Sequence, residues 1–181
     1  FSIGTFYMPE VLTTTKTFED VLDALEEKQV AFNSPEIDKS FTFADTTIET
    51  LYIDNNSNDL NDSSIVLRLK HGTNTFLFTG DASTKVEKKL LNKNIQSDVL
   101  KVGHHGSRYS TSKAFLDKVN PTYAIISVGV NNTYKHPHDE IIKRLKNKNI
   151  KIYRTDESGS IVAESNGSII TFKNIKTNTN G

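Results

Sequence analysis

The sequence predicts an α/β protein made of one domain. Patterns typical of β-hairpins fill the first half of the chain, and the second half alternates strand, helix, strand, helix and strand. With 181 residues and 35% apolar side chains, the chain is long enough to bury a sizeable core. We expect a single domain over residues 1–175 and a frayed tail at residues 176–181.

The charge balance and the amino-acid composition exclude several functional classes. The 22 basic side chains equal the 22 acidic ones, so there is no global basic field, and any nucleic-acid binding needs a local patch or a metal. The chain has no Cys, which excludes disulfides, thiolate metal sites and cysteine nucleophiles. No apolar run reaches the roughly 20 residues that span a bilayer, and no signal peptide is visible.

The first half of the chain begins with a strand, a helix and a strand pair. A strand is predicted over residues 2–8. A helix is predicted over 17–28, because Thr17 with Asp20 resembles a capping box at its start and apolar residues follow at helical spacing. A short strand follows near 29–32, and residues 39–44 and 47–53 alternate apolar and polar side chains as paired strands do. The next segment is a long polar loop over residues 54–63, which is typical of functional or mobile loops.

The rest of the chain supplies a hairpin, three helices and five further strands. The hairpin pairs residues 64–70 with 75–80, and Thr84 with Glu87 resembles a capping box for the helix that follows. The remaining strands are predicted at 99–102, 123–130, 150–154, 160–164 and 168–173, and the helices at 112–119 and 139–146. Asn166-Gly167 is a strong signal for a hairpin between the last two strands.

Three apolar strands are each followed by residues of metal-ligand type. Asp81 follows the first, His104 and His105 follow the second, and a loop with His136 and His138 follows the third. If these strands are neighbours in one parallel sheet, their carboxyl ends meet, because sites in α/β sheets form outside those ends. Imidazole and carboxylate together are ligands for Zn, Mn or Fe, so the pattern indicates a metal site.

Each of these residues also has a structural interpretation. Asp81 suits the N-cap of the following helix, and the 136–138 stretch suits a turn with His138 or Asp139 at the cap of the next helix. The two histidines at 104 and 105 would point to opposite sides in an extended segment, so at most one would fill the core. Lys101, Ser107 and Arg108 suit either contacts to a phosphate or ordinary loop and strand polarity.

Five stretches of the sequence resemble one known family when they are taken together in this order. They are FLFTGD at 76–81, DVLKVGHHGS at 98–107, IISVG at 125–129, HPH at 136–138 and YRTDESGSI at 153–161. The family is the ComEC-type branch of the metallo-β-lactamase superfamily, which includes the hydrolase domain of DNA-internalisation competence proteins. The match extends from about Asn61 to Ile161, whereas residues 1–53 fit only by the order of their elements.

The resemblance implies an αββα sandwich, with two mixed sheets face to face between helices, and a hydrolase that uses two divalent metals, Zn or Mn. Asp81 matches the carboxylate that bridges two metals, and the loop with His136 and His138 matches the last metal-binding histidine. The pair His104 and His105 matches a double-histidine motif that ligates metal or contacts phosphate. The resemblance thus implies that Asp81 and these four histidines ligate metal and that Asp81, His104 and His105 are catalytic. It also implies that the substrate phosphate is bound by Lys101, Ser107 and Arg108.

One departure from the family pattern shapes our expectations for this chain. The superfamily signature His-x-His-x-Asp-His is absent, and no His precedes His71. We therefore expect a C-terminal part of the domain, without its N-terminal strands and first metal motif, that binds metal weakly or not at all and is inactive by itself. Exposed sheet edges would favour self-association.

The resemblance also leads us to expectations about substrate and location. The parent protein would be a phosphodiesterase or nuclease that acts on a phosphodiester such as single-stranded DNA. Alternatives are a non-catalytic module that binds DNA or a partner within a DNA-uptake machine, and a lactonase or thioester hydrolase on the same fold. The expected location is bacterial and extracytoplasmic, either secreted or attached to the membrane through an upstream domain.

Overall fold

The computed structural model of the protein describes residues 2–11 and 13–175. The strands are β1 (Phe6–Tyr7), β2 (Phe32–Asn33), β3 (Ser40–Phe43), β4 (Thr46–Tyr52), β5 (Val66–His71), β6 (Asn74–Phe78), β7 (Val99–Lys101), β8 (Tyr123–Ile126), β9 (Lys151–Arg154), β10 (Ser160–Ser165) and β11 (Ile170–Ile175). The α-helices are α1 (Lys16–Glu27), α2 (Thr84–Leu90), α3 (Lys113–Val119), α4 (Asp139–Lys146) and α5 (Thr155–Ser158), and a 3₁₀ turn covers Gly103–Gly106.

Seven strands form the main sheet in the order β3-β4-β5-β6-β7-β8-β9. The pairs from β3 to β6 are antiparallel, which confirms the predicted strand pair and the predicted hairpin. The pairs from β6 to β9 are parallel, in register through Phe78, Lys101 and Ile125. The predicted neighbourhood of the three apolar strands is therefore confirmed, and their carboxyl ends lie side by side at one edge of the sheet.

Helices α2, α3 and α4 form the main core with the sheet. The centre of this core comes from β6, β7 and β8, whose residues Leu77, Leu100, Ala124 and Ile126 are fully buried. The helices contribute a second set of buried apolar side chains, which consists of Val86, Leu90, Phe115, Leu116, Ile141 and Leu145. Each buried aliphatic side chain of this size contributes about 1.5–3 kcal/mol. This packing fixes the strand ends from which the candidate site is built.

An antiparallel hairpin of β10 and β11 packs on the main sheet as a second layer. The Phe172 ring lies 4.3 Å from the Tyr153 ring and 4.7 Å from the Tyr123 ring. At its other end, the hairpin turn accepts a hydrogen bond from Thr73 N at Gly167 O (2.7 Å). The predicted α/β architecture is confirmed, and within the described residues the second sheet consists of this hairpin, since β1 and β2 pair only with each other.

Several predicted boundaries differ from the structure. Helix α1 begins at Lys16, and Thr15 rather than Thr17 is its N-cap, because the Thr15 hydroxyl accepts from Phe18 N (3.4 Å). The first predicted strand shortens to two residues. Strand β8 ends at Ile126 because the Thr155 hydroxyl bonds Val128 N (2.7 Å) and Val128 O (2.8 Å), which replaces a ladder partner. The tail predicted at 176–181 lies outside the described residues.

Candidate functional site

The ends of β6, β7 and β8 bring the predicted metal-ligand residues into one cluster. His105 Nε2 lies 3.9 Å from Asp81 Oδ1. The ring of His136 lies 5.6 Å from the His104 ring and 6.5 Å from the His105 ring, centroid to centroid. Residues that are up to 55 positions apart in the sequence thus share one solvent-facing corner, as the parallel sheet requires.

The histidine pair adopts an unusual backbone conformation. His104 (φ 47°, ψ 46°) and His105 (φ 55°, ψ 20°) are both left-handed, so the premise that they lie in an extended segment was wrong. A left-handed residue other than Gly costs roughly 1–2 kcal/mol, and such residues concentrate at functional sites. The surroundings hold the turn, since His104 N donates to Gly80 O (3.0 Å) and Ser107 N donates to His104 O (2.8 Å).

The hydrogen bonds of His105 define its tautomer. Its Nδ1 lies 2.6 Å from Ser127 O, and because a carbonyl oxygen only accepts, Nδ1 carries the proton. In the neutral ring the lone pair of Nε2 then faces the carboxylate of Asp81. Two lone pairs at 3.9 Å repel unless a cation or a proton lies between them. Two metal–ligand bonds of about 2.0–2.2 Å each reach up to about 4.0–4.4 Å. This exceeds the 3.9 Å separation, so one divalent ion can bond to both atoms.

The donor atoms of the described residues suit a pair of metal ions less well than a single ion. Within residues 2–11 and 13–175, no three His, Asp or Glu side chains are spaced to hold a metal ion. The donor chemistry suits Zn or Mn, and a carbonyl behind the His105 ring is the support that metal-bound histidines usually have. The described residues therefore offer two ligand atoms for one ion, Asp81 Oδ1 and His105 Nε2, and the ring of His136 lies nearby.

The structure distinguishes the two histidines of the 136–138 loop. His138 Nδ1 accepts a hydrogen bond from Arg108 N (3.2 Å), so this ring is engaged away from Asp81. It is also the N-cap position of α4, as one structural interpretation expected. His136 lies against the pair at 104 and 105, and burial, followed by the positive charges of the neighbouring histidines, lowers the pKa of His136. A neutral ring at neutral pH is the form that ligates metal, so His136 is the better candidate.

Asp81 does not cap helix α2. That position belongs to Ser83, whose hydroxyl accepts from Lys85 N (3.2 Å) and whose own N–H donates to Asp62 Oδ1 (3.2 Å). The Asp81 backbone N–H donates to Ser64 Oγ (3.0 Å), which leaves its carboxylate directed at the histidines. The capping interpretation of Asp81 is therefore wrong, and its role as a metal ligand stays a prediction.

The three residues predicted on the phosphate side occupy different environments. Burial lowers the pKa of Lys101, and the charge of Asp81 opposes that shift, so the amine lies within reach of the cluster. Arg108 is exposed beside His138. Ser107 is only 1% exposed, and its hydroxyl accepts from Tyr109 N (3.4 Å), so here it supports the loop. Their contacts to a substrate stay predictions.

One important residue received a wrong role in the sequence analysis. Glu87 does not close a capping box; it is 2% exposed, and its carboxylate accepts the backbone N–H groups of Thr111 and of Ser112 (2.8 Å). Arg144 reaches the same loop, since its Nη1 donates to Thr111 O (2.5 Å). The sequence contained a signal for the burial of Glu87, because this residue lies three positions before Leu90 on the apolar face of its helix.

Parts of this chain are similar to known proteins. The family model described as the metallo-beta-lactamase superfamily matches residues 57–130. Bacillus subtilis ComE operon protein 3 is 41% identical over 114 residues, which are 62% of this chain and 15% of that protein. Neisseria gonorrhoeae competence protein ComA is 45% identical over 106 residues, 57% of this chain and 15% of that protein. The chain thus spans about a seventh of the length of these relatives.

Solved structures with the same architecture share little sequence with this chain. The metallo-beta-lactamase fold protein YhfI from Bacillus subtilis aligns with a TM-score of 0.51 at 13% identity, over 83% of this chain and 61% of that one. CmlA, a diiron beta-hydroxylase from Streptomyces venezuelae, aligns with a TM-score of 0.54 at 12% identity, over 82% of this chain and 38% of that one. At such low identity the likeness shows the fold alone. Among the described residues, no helix is long and apolar enough to cross a membrane.

Proposed function

We propose, from the premise that this chain resembles the ComEC-type branch of the metallo-β-lactamase superfamily, that it carries part of the active site of a metal-dependent phosphodiesterase. The observation that carries the proposal is the 3.9 Å gap between Asp81 Oδ1 and His105 Nε2, two acceptor atoms that face each other. The hydrolase fold of the superfamily and the competence-protein relatives support it.

Each residue of the site has a distinct role in this proposal. Asp81 and His105 would hold a divalent ion, and His136 would become a third ligand after a shift of its ring, because the three side chains are not spaced for one ion in this structure. A bound ion of this kind lowers the pKa of a water and stabilises negative charge on a phosphoryl oxygen. Ser127 O orients the His105 ring and holds the proton of the neutral ring on Nδ1, which leaves the Nε2 lone pair for the ion. Lys101 places positive charge beside Asp81, where it attracts an anionic substrate.

The proposed substrate is a phosphodiester, with DNA as the leading class. The relatives are bacterial competence proteins, and the residues nearest the cluster, Lys101 and Arg108, are cations that suit phosphate oxygens. The same relatives support a location outside the cytoplasm. A non-catalytic DNA-binding module is the second candidate, and it is favoured by the absence of a three-donor group within the described residues.

Metal binding by the 181-residue chain tests the proposed metal site directly. By isothermal titration calorimetry with Zn²⁺ or Mn²⁺, we expect weak binding that His105→Ala reduces by at least roughly 10- to 100-fold, because a ligand matters at least as much as an outer-shell partner. His136→Ala should weaken binding more than His138→Ala. His71→Gln, on the remote hairpin turn, is the matched control and should bind metal as the unsubstituted chain does.

Turnover and sequence context separate the two candidate functions. We expect no hydrolysis of bis-p-nitrophenyl phosphate by this chain, because its described donors hold at most one ion; full activity here would contradict that expectation. In any longer form of the protein, a His-x-His-x-Asp-His motif upstream of these residues and metal-dependent turnover would support the enzyme. The absence of both from such a form would support the binding module. A panel with lactone and thioester substrates tests the remaining hydrolase alternative.

Self-association is proposed through the edge of the main sheet. Strand β3 is an edge strand, and its Phe43 side chain is 74% exposed next to Phe41. Unpaired backbone groups beside exposed aromatic rings favour edge-to-edge pairing. In sedimentation velocity we expect a concentration-dependent dimer that Phe43→Lys abolishes, while Lys28→Glu on the exposed end of α1 has no effect. A monomer at all concentrations would contradict this proposal.

A further inference from the structure

Two adjoining cavities extend away from the histidine cluster along helix α4. The first, of about 490 Å³, begins at His138 and Arg108 and continues past Lys135 to Lys143. The second, of about 560 Å³, lies between α3 and α4 and ends at Lys113 and Lys148. The two share Glu140 and Lys143, so they form one continuous groove that starts beside the cluster. We call it the α4 groove.

The α4 groove concentrates positive charge in a chain with no net charge. Six cations line it, against the three carboxylates Asp117, Asp139 and Glu140. Three of the cations, Arg108, Lys135 and Lys143, have no carboxylate within ion-pair distance among the described residues. Lys113 and Lys148 both pair with Asp117, at 2.7 and 2.9 Å. The remaining cation, Arg144, is committed to Thr111 O.

The shape of the α4 groove suits a chain of phosphates better than a single anion. Its cations are spread along α4, whose eight residues span about 12 Å, and across to α3. A small anion would need them to converge on one point. Tyr109 and Tyr134 are exposed and adjoin the groove residues Arg108 and Lys135 in the sequence, although neither tyrosine lines the two cavities. Exposed aromatic rings close to a positive groove suit single-stranded nucleic acid, because unpaired bases stack on such rings.

We infer that the α4 groove binds the backbone of a single-stranded nucleic acid and leads it to the histidine cluster. The inference rests on the proposed function, because it supplies the path by which a phosphodiester strand reaches Asp81 and His105. Arg108 joins the two regions, since its backbone N–H contacts His138 while its side chain lines the groove. Tyr134 also stacks on His136 at 5.7 Å, which places an exposed ring at the entrance to the cluster.

Binding is tested on the 181-residue chain in the presence of EDTA, so that no metal contributes. The probe is a fluorescein-labelled oligothymidylate, and fluorescence anisotropy is recorded over a series of salt concentrations. Lys143→Glu, at the junction of the two cavities, should weaken binding on the order of tenfold at low salt. It should also reduce the log–log salt slope by about 0.7 for each phosphate that the protein no longer neutralises. Arg108→Glu added to it should weaken binding further.

The matched control is Lys88→Glu, which makes the same charge change at an exposed side chain in the last turn of helix α2. It should leave the affinity unchanged. An equal loss in Lys88→Glu and Lys143→Glu would overturn the groove in favour of a general charge effect. Asp117→Asn should tighten binding and steepen the salt slope, because it releases Lys113 and Lys148; unchanged affinity would overturn the α3 half of the groove.

Two further outcomes decide between partners and separate this inference from the proposed function. A duplex of the same length should bind more weakly, and equal binding would overturn the single-strand assignment and the role of Tyr109 and Tyr134. Absence of oligonucleotide binding at low salt would overturn the groove alone, whatever the metal titrations show. Oligonucleotide binding in a chain that never binds Zn²⁺ or Mn²⁺ would support the groove and contradict only the metal site.

Discussion

Gly106→Ala should destabilise the protein by about 2–4 kcal/mol and separate the two histidine loops. Gly106 has a φ of +84°, a backbone conformation in which a side chain is strained. A Cβ there would lie 2.5 Å from Pro137 Cβ and 3.1 Å from Pro137 Cα, closer than atoms in a packed core approach. The His138 N–H also donates to Gly106 O (3.0 Å), so movement of one loop displaces the other.

Urea denaturation followed by circular dichroism measures this change. Gly129→Ala is the matched control, because a Cβ at Gly129 meets no atom within 4 Å, and we expect its free energy of unfolding to stay within about 0.5 kcal/mol of the parent chain. If Gly106→Ala were as stable as Gly129→Ala, the contact between the loops would not hold them together. Zn²⁺ affinity should fall in Gly106→Ala and persist in Gly129→Ala, since only the first moves His136.

Glu87→Ala should cost about 3 kcal/mol or more, because it leaves one buried and one part-buried N–H group without the carboxylate that now accepts from both. The donors belong to Thr111 and Ser112, so the substitution also releases the loop that follows the histidine pair. Val86→Ala, at the neighbouring buried position, removes apolar volume without stranding a donor. It serves as the control for cavity formation, and we expect a smaller loss from it in the same denaturation experiment.

The stability contributed by Glu87 should depend on pH. Burial raises the pKa of Glu87 above its ordinary value of 4.5, against the opposing effect of the Ser112 and Thr111 N–H groups and of Arg144. The folded protein then keeps this proton where the unfolded chain has lost it. The contribution is therefore complete below pH 4.5 and declines as the pH rises through the folded-state pKa. The stability difference between the parent chain and Glu87→Gln should be largest in acid, and a difference independent of pH would contradict this assignment.

The convergence of the candidate site was predictable from sequence because it depends on local patterns. Apolar runs defined β6, β7 and β8, and the residues after each run had to meet once those strands were parallel neighbours. The roles within the cluster were not predictable. The choice between His136 and His138 depends on a hydrogen bond to Arg108, and the tautomer of His105 depends on Ser127, 22 residues away.

The contacts of Gly106 and Glu87 could not be predicted from the sequence for the same reason. Gly106 follows the histidine pair, and the residue that approaches it most closely is Pro137 of the neighbouring loop, 31 positions away in the sequence. Thr84 and Glu87 have the spacing of a capping box, yet burial against α3 determines what the carboxylate bonds. Spacing within one element indicates which residues share a face, but the partner across that face comes from tertiary packing.

The contact between the β10–β11 hairpin and the β5–β6 turn has a consequence for the order of folding. His71 Nδ1 lies 3.0 Å from Ser165 Oγ, and Thr73 N donates to Gly167 O, so residues about 94 positions apart close a loop. Asp81, the histidine pair and the 136–138 segment all lie inside that loop. Closing this loop has an entropic cost, so we expect the contact to form late, after β6 to β9 have assembled. We therefore expect the candidate site to assemble before the hairpin docks on the sheet.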